Sequence, residues 1–61
     1  MKKFIVVEVD GKVRQHIAKN NRPDKYSEPK IFDTALDAQR WIDRHYNKYI
    51  PIHYEISEWS D

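Results

Sequence analysis

Sixty-one residues make one small domain spanning residues 1–61, and 39% hydrophobic residues with 13% aromatic are too rich in ring area for a disordered tail of this charge. Cysteine is absent, which removes disulfides, thiolate metal sites and a cysteine nucleophile together, so packing alone must hold a chain of a size that buries only about 60% of its unfolded surface. Eleven Lys and Arg against ten Asp and Glu leave a net charge of +1, which argues against a polyanion binder working through total charge.

The charge is polarised along the chain. Residues 12–30 carry Lys12, Arg14, Lys19, Arg22, Lys25 and Lys30 against Asp24 and Glu28, a local +4, while residues 50–61 carry only Glu55, Glu58 and Asp61, a local −3. The longest apolar run, residues 4–7, is far short of the roughly 20 residues of a membrane span, and the start lacks the apolar stretch and cleavage site of a signal peptide. A cytoplasmic protein without membrane contact is the expectation.

In chain order, residues 4–9 are dense in β-branched side chains, Asp10-Gly11 follows, and Val13-Arg14-Gln15-His16-Ile17 alternates behind it, which predicts a β-hairpin. A two-residue turn at Asp10-Gly11 would set Val7 opposite Arg14. A three-residue loop with Gly11 left-handed sets Val7 opposite Val13, and is preferred because it gathers Ile5, Val7, Val9, Val13 and Ile17 on one face. Residues 20–30, with two prolines and two asparagines, read as a long surface loop. After a short extended lead-in at residues 30–33, Thr34 has the chemistry of an N-cap, with Asp37 favourable near the positive helix end. A helix is predicted over residues 35–47, its apolar stripe formed by Ala35, Ala38, Ile42, His45 and Tyr49 with Trp41 beside it. Pro51 opens a last strand in which Ile52, Tyr54 and Ile56 alternate with polar residues as far as Trp59. The predicted fold is α+β: a single-layer, mostly antiparallel sheet on one amphipathic helix, in the order β-β-(β)-α-β.

The chemistry-bearing residues are scattered. His16, His45 and His53 fall on three different predicted elements, without the ligand spacing of a zinc site. Ser27, Ser57 and Ser60 sit in no nucleophile context, Thr34 serves as a cap, and the lone Gly11 cannot form a phosphate-binding loop. These features predict a protein that is not an enzyme and needs neither metal nor cofactor.

The segment Phe32-Asp33-Thr34-Ala35-Leu36-Asp37-Ala38-Gln39-Arg40-Trp41-Ile42 carries the pattern Phe-x-Thr-x-x-x-Ala-x-x-Trp-Ile. It resembles the strand-into-helix junction of the arm-type DNA-binding domain of tyrosine integrases and of the N-terminal nucleic-acid-binding domain of some ribonucleases H. The integrase domain ends with its helix, whereas this chain continues into Tyr54-Glu55-Ile56. Taken together, residues 4–11, Phe32 with Thr34, Ala38 with Trp41-Ile42, and Tyr54-Glu55-Ile56 resemble short proteins encoded by phages and prophages of Gram-positive bacteria. The layout of hairpin, capped helix and closing strand is also similar to the small phage T7 inhibitor of bacterial RNA polymerase. These resemblances imply a binding protein inside a bacterial host cell, acting on a host protein, and they transfer no binding residue.

The residues themselves point to a surface. With the helix on the Ile5/Val7/Val13/Ile17 face, the opposite face would show Phe4, Val6, Arg14 and His16 from the hairpin and His53, Glu55 and Trp59 from the last strand. Trp, Phe and Arg are interface anchors, and the loop residues Arg22, Lys25 and Tyr26 would flank them. The alternatives are that Tyr26 and the 20–30 loop fold over this face as a second small core, that two copies pair through it or through a strand edge, or that the basic segment binds nucleic acid. Glu55 and Glu58, expected on or beside the face, would repel phosphates and favour a protein partner.

Overall fold

In the computed structural model, which describes residues 2–60, β1 (Lys3–Asp10) and β2 (Val13–His16) form the expected hairpin. The register differs from both sequence-derived alternatives. Asp10 pairs with Val13, Val9 with Arg14 and Val7 with His16, so the turn is Gly11-Lys12. Gly11 takes the first central position with φ 60, the left-handed conformation a glycine-first hairpin turn demands. Relative to the preferred reading, β2 has moved by an odd number of residues, and an odd shift exchanges the faces of a strand. Arg14 and His16 therefore share a face with Ile5, Val7 and Val9, while Ile17 donates its N–H to the Val6 carbonyl at 2.8 Å and joins the other side.

β3 (Ile52–Trp59) runs antiparallel along the whole of β1, from Lys3 opposite Trp59 to Asp10 opposite Ile52. The sheet order is β2-β1-β3. β2 covers only the C-terminal half of its side of β1. The chain leaves at Ile17, makes a tight turn in which Ala18 N–H meets the Arg22 carbonyl at 2.9 Å, and returns so that Phe4 and Phe32 exchange backbone hydrogen bonds of 2.9 and 2.8 Å. The long loop is thus pinned rather than free. Asn21 closes its first turn at φ 66, a conformation that asparagine tolerates better than most residues.

Thr34 caps α1 (Ala35–His45), its hydroxyl oxygen accepting the Asp37 N–H at 3.1 Å. The helix stops two residues before the predicted end, when Tyr46 turns extended while still donating to the Ile42 carbonyl at 2.7 Å. Tyr49, assigned to the apolar stripe, therefore lies beyond the helix and is 83% exposed. Ala38, Trp41 and Ile42 pack instead with Val6, Ile17 and Phe32, closed at the edges by Phe4, Tyr54 and Ile56. Thr34→Ala is expected to cost roughly 1 kcal/mol, the usual value of an N-cap, and Asp33→Ala less, since its ion pair with Lys3 is on the surface. Urea denaturation orders the two, and the reverse order would move the functional cap to Asp33.

The helix therefore covers the Phe4/Val6 face, the reverse of the sequence-derived assignment. Phe4 and Val6, taken as surface residues, belong to the core, and Val6 is fully buried. Glu8 shares that face opposite Tyr54, and burial, then Asp10, push its carboxyl above the ordinary value. A raised carboxyl pKa favours folding below the unfolded pKa, and this contribution is lost as pH rises through the folded one. Glu8→Gln is accordingly expected to raise the urea midpoint at neutral pH, with the gain shrinking on acidification; a gain that grew toward low pH would contradict the assignment.

Candidate functional site

The sheet face away from the helix is built around the odd residues of β1. Val9 lies between Arg14 and His53, Val7 between His16 and Glu55, Ile5 beside Ser57, and Lys3 beside Trp59. Although no helix covers this face, Ile5 and Val9 are buried. The long flanking side chains supply the cover. Arg14 on β2 and Glu55 on β3 form an ion pair that crosses β1 between Val7 and Val9, laying their aliphatic stems over the valines while the charged heads stay in water. The Arg14 guanidinium holds the Glu55 carboxyl below its usual range, and His53 Nε2 stands 3.9 Å from its other oxygen.

Toward the other end of β1 the return segment supplies the flank. Phe32 faces the helix, so its neighbours Ile31 and Asp33 fall on the outer face, where Asp33 meets Lys3 Nζ at 2.6 Å. Ile31 is 45% exposed and Trp59 half-buried. With Pro29, Lys19 and Glu28 they line a shallow depression of about 290 Å³, whose rim is the Lys19–Glu28 ion pair at 2.8 Å. Ile31 and Pro29 were not among the sequence-derived site residues. The alternation was legible, since a buried Phe32 puts Ile31 on the opposite face.

The loop covers part of this face. Pro29 pairs with Ala18, and His16 Nε2–H donates to the Ser27 carbonyl. Asp24 accepts the Ser27 hydroxyl at 2.6 Å and the Tyr26 N–H at 2.9 Å, and these bonds lower its carboxyl pKa, the Ser27 hydroxyl contributing most. Tyr26 takes no part in the cover; it is 89% exposed, with Lys25 Nζ 5.6 Å from its ring. Among the described residues Lys12, Arg22 and Lys25 make no ion pair, whereas Arg14 and Lys19 are neutralised by Glu55 and Glu28.

Of the sequence-derived residues, Arg14, His16, His53 and Trp59 do share the outer face, and Arg22, Lys25 and Tyr26 sit on the loop beside β2. Phe4 and Val6 do not belong to it. Glu55 is on the face, but Glu58 lies opposite Phe4 on the helix side and pairs with Lys2 at 3.3 Å. Asp61 is outside the described residues. Sequence reasoning missed the anchoring role of Asn21, whose Oδ1 accepts from Trp41 Nε1 at 3.0 Å and from Lys30 Nζ at 2.8 Å. These bonds tie the basic loop to the helix.

Among the described residues no group of three or more His, Asp or Glu side chains is placed to hold a metal ion, and no helix is long and apolar enough to cross a membrane. Comparison with protein-family models, with curated proteins and with solved structures finds no match to this chain.

Proposed function

We propose that this protein acts without catalysis by binding another protein, through the Trp59/Ile31/Pro29 depression and the basic loop beside it. The observation that carries this reading is the pairing of an apolar, aromatic-walled depression with the unpaired cations Arg22 and Lys25 and an exposed Tyr26. An apolar depression on the same molecule as an exposed loop bearing Arg and Tyr has the composition of a protein interface. The partner that fits is an acidic protein surface presenting one apolar side chain to the depression. The likeness of residues 4–11, Phe32 with Thr34, Ala38 with Trp41-Ile42, and Tyr54-Glu55-Ile56 to short phage and prophage proteins supports a bacterial host protein as the target.

Nucleic acid is the competing ligand, and the ion pairs weigh against it. Arg14 and Lys19, two of the cations available for phosphates, are already matched by the Glu55 and Glu28 carboxylates.

Affinity capture from bacterial lysate, with and without nuclease, separates the two readings. A nuclease-resistant protein partner is expected. Reversing Arg22 and Lys25 to Glu should then mainly slow association, because rim charges act on encounter, whereas Trp59→Ala should speed dissociation. Binding of any DNA or RNA at physiological salt tighter than about 10⁻⁶ M, the upper end of non-specific affinity, would overturn the proposal.

A further inference from the structure

Phe4 turns its N–H and C=O toward Phe32, and Val6 its C=O toward Ile17, so the odd residues of β1 hydrogen-bond to β3. Their partners His53, Glu55 and Ser57 point inward, and by alternation Ile52, Tyr54, Ile56 and Glu58 direct their backbone groups to the outer edge. Among the described residues nothing pairs with the outward backbone groups of Ile52, Tyr54, Ile56 and Glu58. The edge is eight residues long, with Pro51 before it and no proline within it, and so lacks the usual protection of an exposed strand.

We infer that β3 pairs antiparallel with β3 of a second copy of this chain, Tyr54 against Tyr54, joining two sheets into one. The side chains favour this register over those shifted toward the C-terminus. Centred on Tyr54, it sets Ile52 against Ile56 of the other copy on the helix side, and His53 against Glu55 on the outer side. Centred on Glu55, it would set two carboxylates directly opposite, which is destabilising. Centred on Ile56, it would break the apolar stripe by placing Tyr54 against Glu58 and Ile52 against Ser60. In the Tyr54-centred register Ile52, Tyr54 and Ile56 all fall at hydrogen-bonded positions, each such pair exchanging two backbone bonds.

The helices fit the same arrangement. α1 packs over β1 and β3 and not over β2. With strands about 4.8 Å apart, the two helices of the pair would lie about 10 Å apart, at the upper end of ordinary helix packing distance. Arg40, Arg44 and Asp37 line the flank of α1 that faces Lys30 and Phe32, so the helical period turns Ala35 and Gln39 toward the β3 edge. Tyr46, which follows α1, is 53% exposed, and Ile50, just ahead of β3, is 44% exposed. The second copy would cover both.

Sedimentation equilibrium of the full chain at micromolar to millimolar concentration is expected to show a reversible dimer of the 7.4 kDa chain. A mixed sample of ¹³C-labelled and unlabelled protein should give isotope-filtered contacts between Ile52 and Ile56 methyl groups, which sit too far apart along one strand to meet within a chain. Ile52→Lys would place an ammonium opposite Asp10 of its own chain and against Ile56 of the other; it should keep a native circular dichroism spectrum and weaken dimerisation at least tenfold. A wild type that stays monomeric at millimolar concentration, including one that binds an unrelated extended peptide at this edge, overturns the inference. So does a dimer without Ile52–Ile56 contacts. The wild-type contacts decide the matter even if Ile52→Lys fails to fold.

Discussion

Trp41→Ala is expected to unfold the domain, while Trp59→Ala leaves it folded. Trp41 is buried, stacks on His45 with ring centroids 4.0 Å apart, meets Tyr54 edge-on at 5.4 Å and donates its indole N–H to Asn21. Loss of a buried aromatic side chain costs about 3–5 kcal/mol, against a whole stability of roughly 3–9 kcal/mol for a chain of this length. Trp59 sits half-buried at the end of β3 on the outer face, away from the helix. Trp41→Phe should fall between, keeping ring area but losing about 1 kcal/mol with the hydrogen bond to Asn21. Urea denaturation followed by circular dichroism ranks the three, and equal midpoints for the two alanine variants would refute the placement of these residues on opposite faces.

A comparably large effect is expected at the neighbouring valines, and it tests the same inversion from the strand side. Val6→Asp should abolish folding at neutral pH, because a carboxylate at a fully buried site between β1 and the helix has no partner and costs several kcal/mol. Val7→Lys should be tolerated to within about 1 kcal/mol, since the ammonium can snorkel out between His16 and Glu55. If Val7→Lys unfolded the chain and Val6→Asp did not, the helix would be on the other face.

The elements were legible in the sequence because each is signalled locally. β-Branched residues define β1, a hydroxyl with an acid three residues on starts α1, and Ile-x-Tyr-x-Ile marks β3. The assignment of faces was not legible, and for a specific reason. β1 is apolar on both sides, Phe4 and Val6 on one and Ile5, Val7 and Val9 on the other, so alternation says nothing about which side the helix takes. The decision passed to the hairpin register, and Gly11 permits left-handed backbone at more than one turn position. Arg14 and His16 nonetheless fall on the outer face in both readings, because two inversions cancel: the helix takes the other face of β1, and the register turns β2 over relative to β1. The Arg14–Glu55 crossing and the Asn21 anchor depend on contacts between residues 41 and 20 positions apart, beyond the reach of any local pattern.

The pairing of β1 with β3 along its full length also sets a schedule for biosynthesis. Lys3 and Trp59 are partners, yet at about 5–20 residues per second several seconds separate their emergence from the ribosome. During that interval the only backbone neighbours of β1 in the sheet are the short β2 and the Phe32 segment, and the side of it that β3 will occupy presents unpaired backbone. The nascent chain is thus a waiting template, and contacts this distant in sequence make its closure slow relative to helix formation. Whatever holds that template in the cell during those seconds, a chaperone or a second nascent chain, competes directly with the strand that completes the sheet.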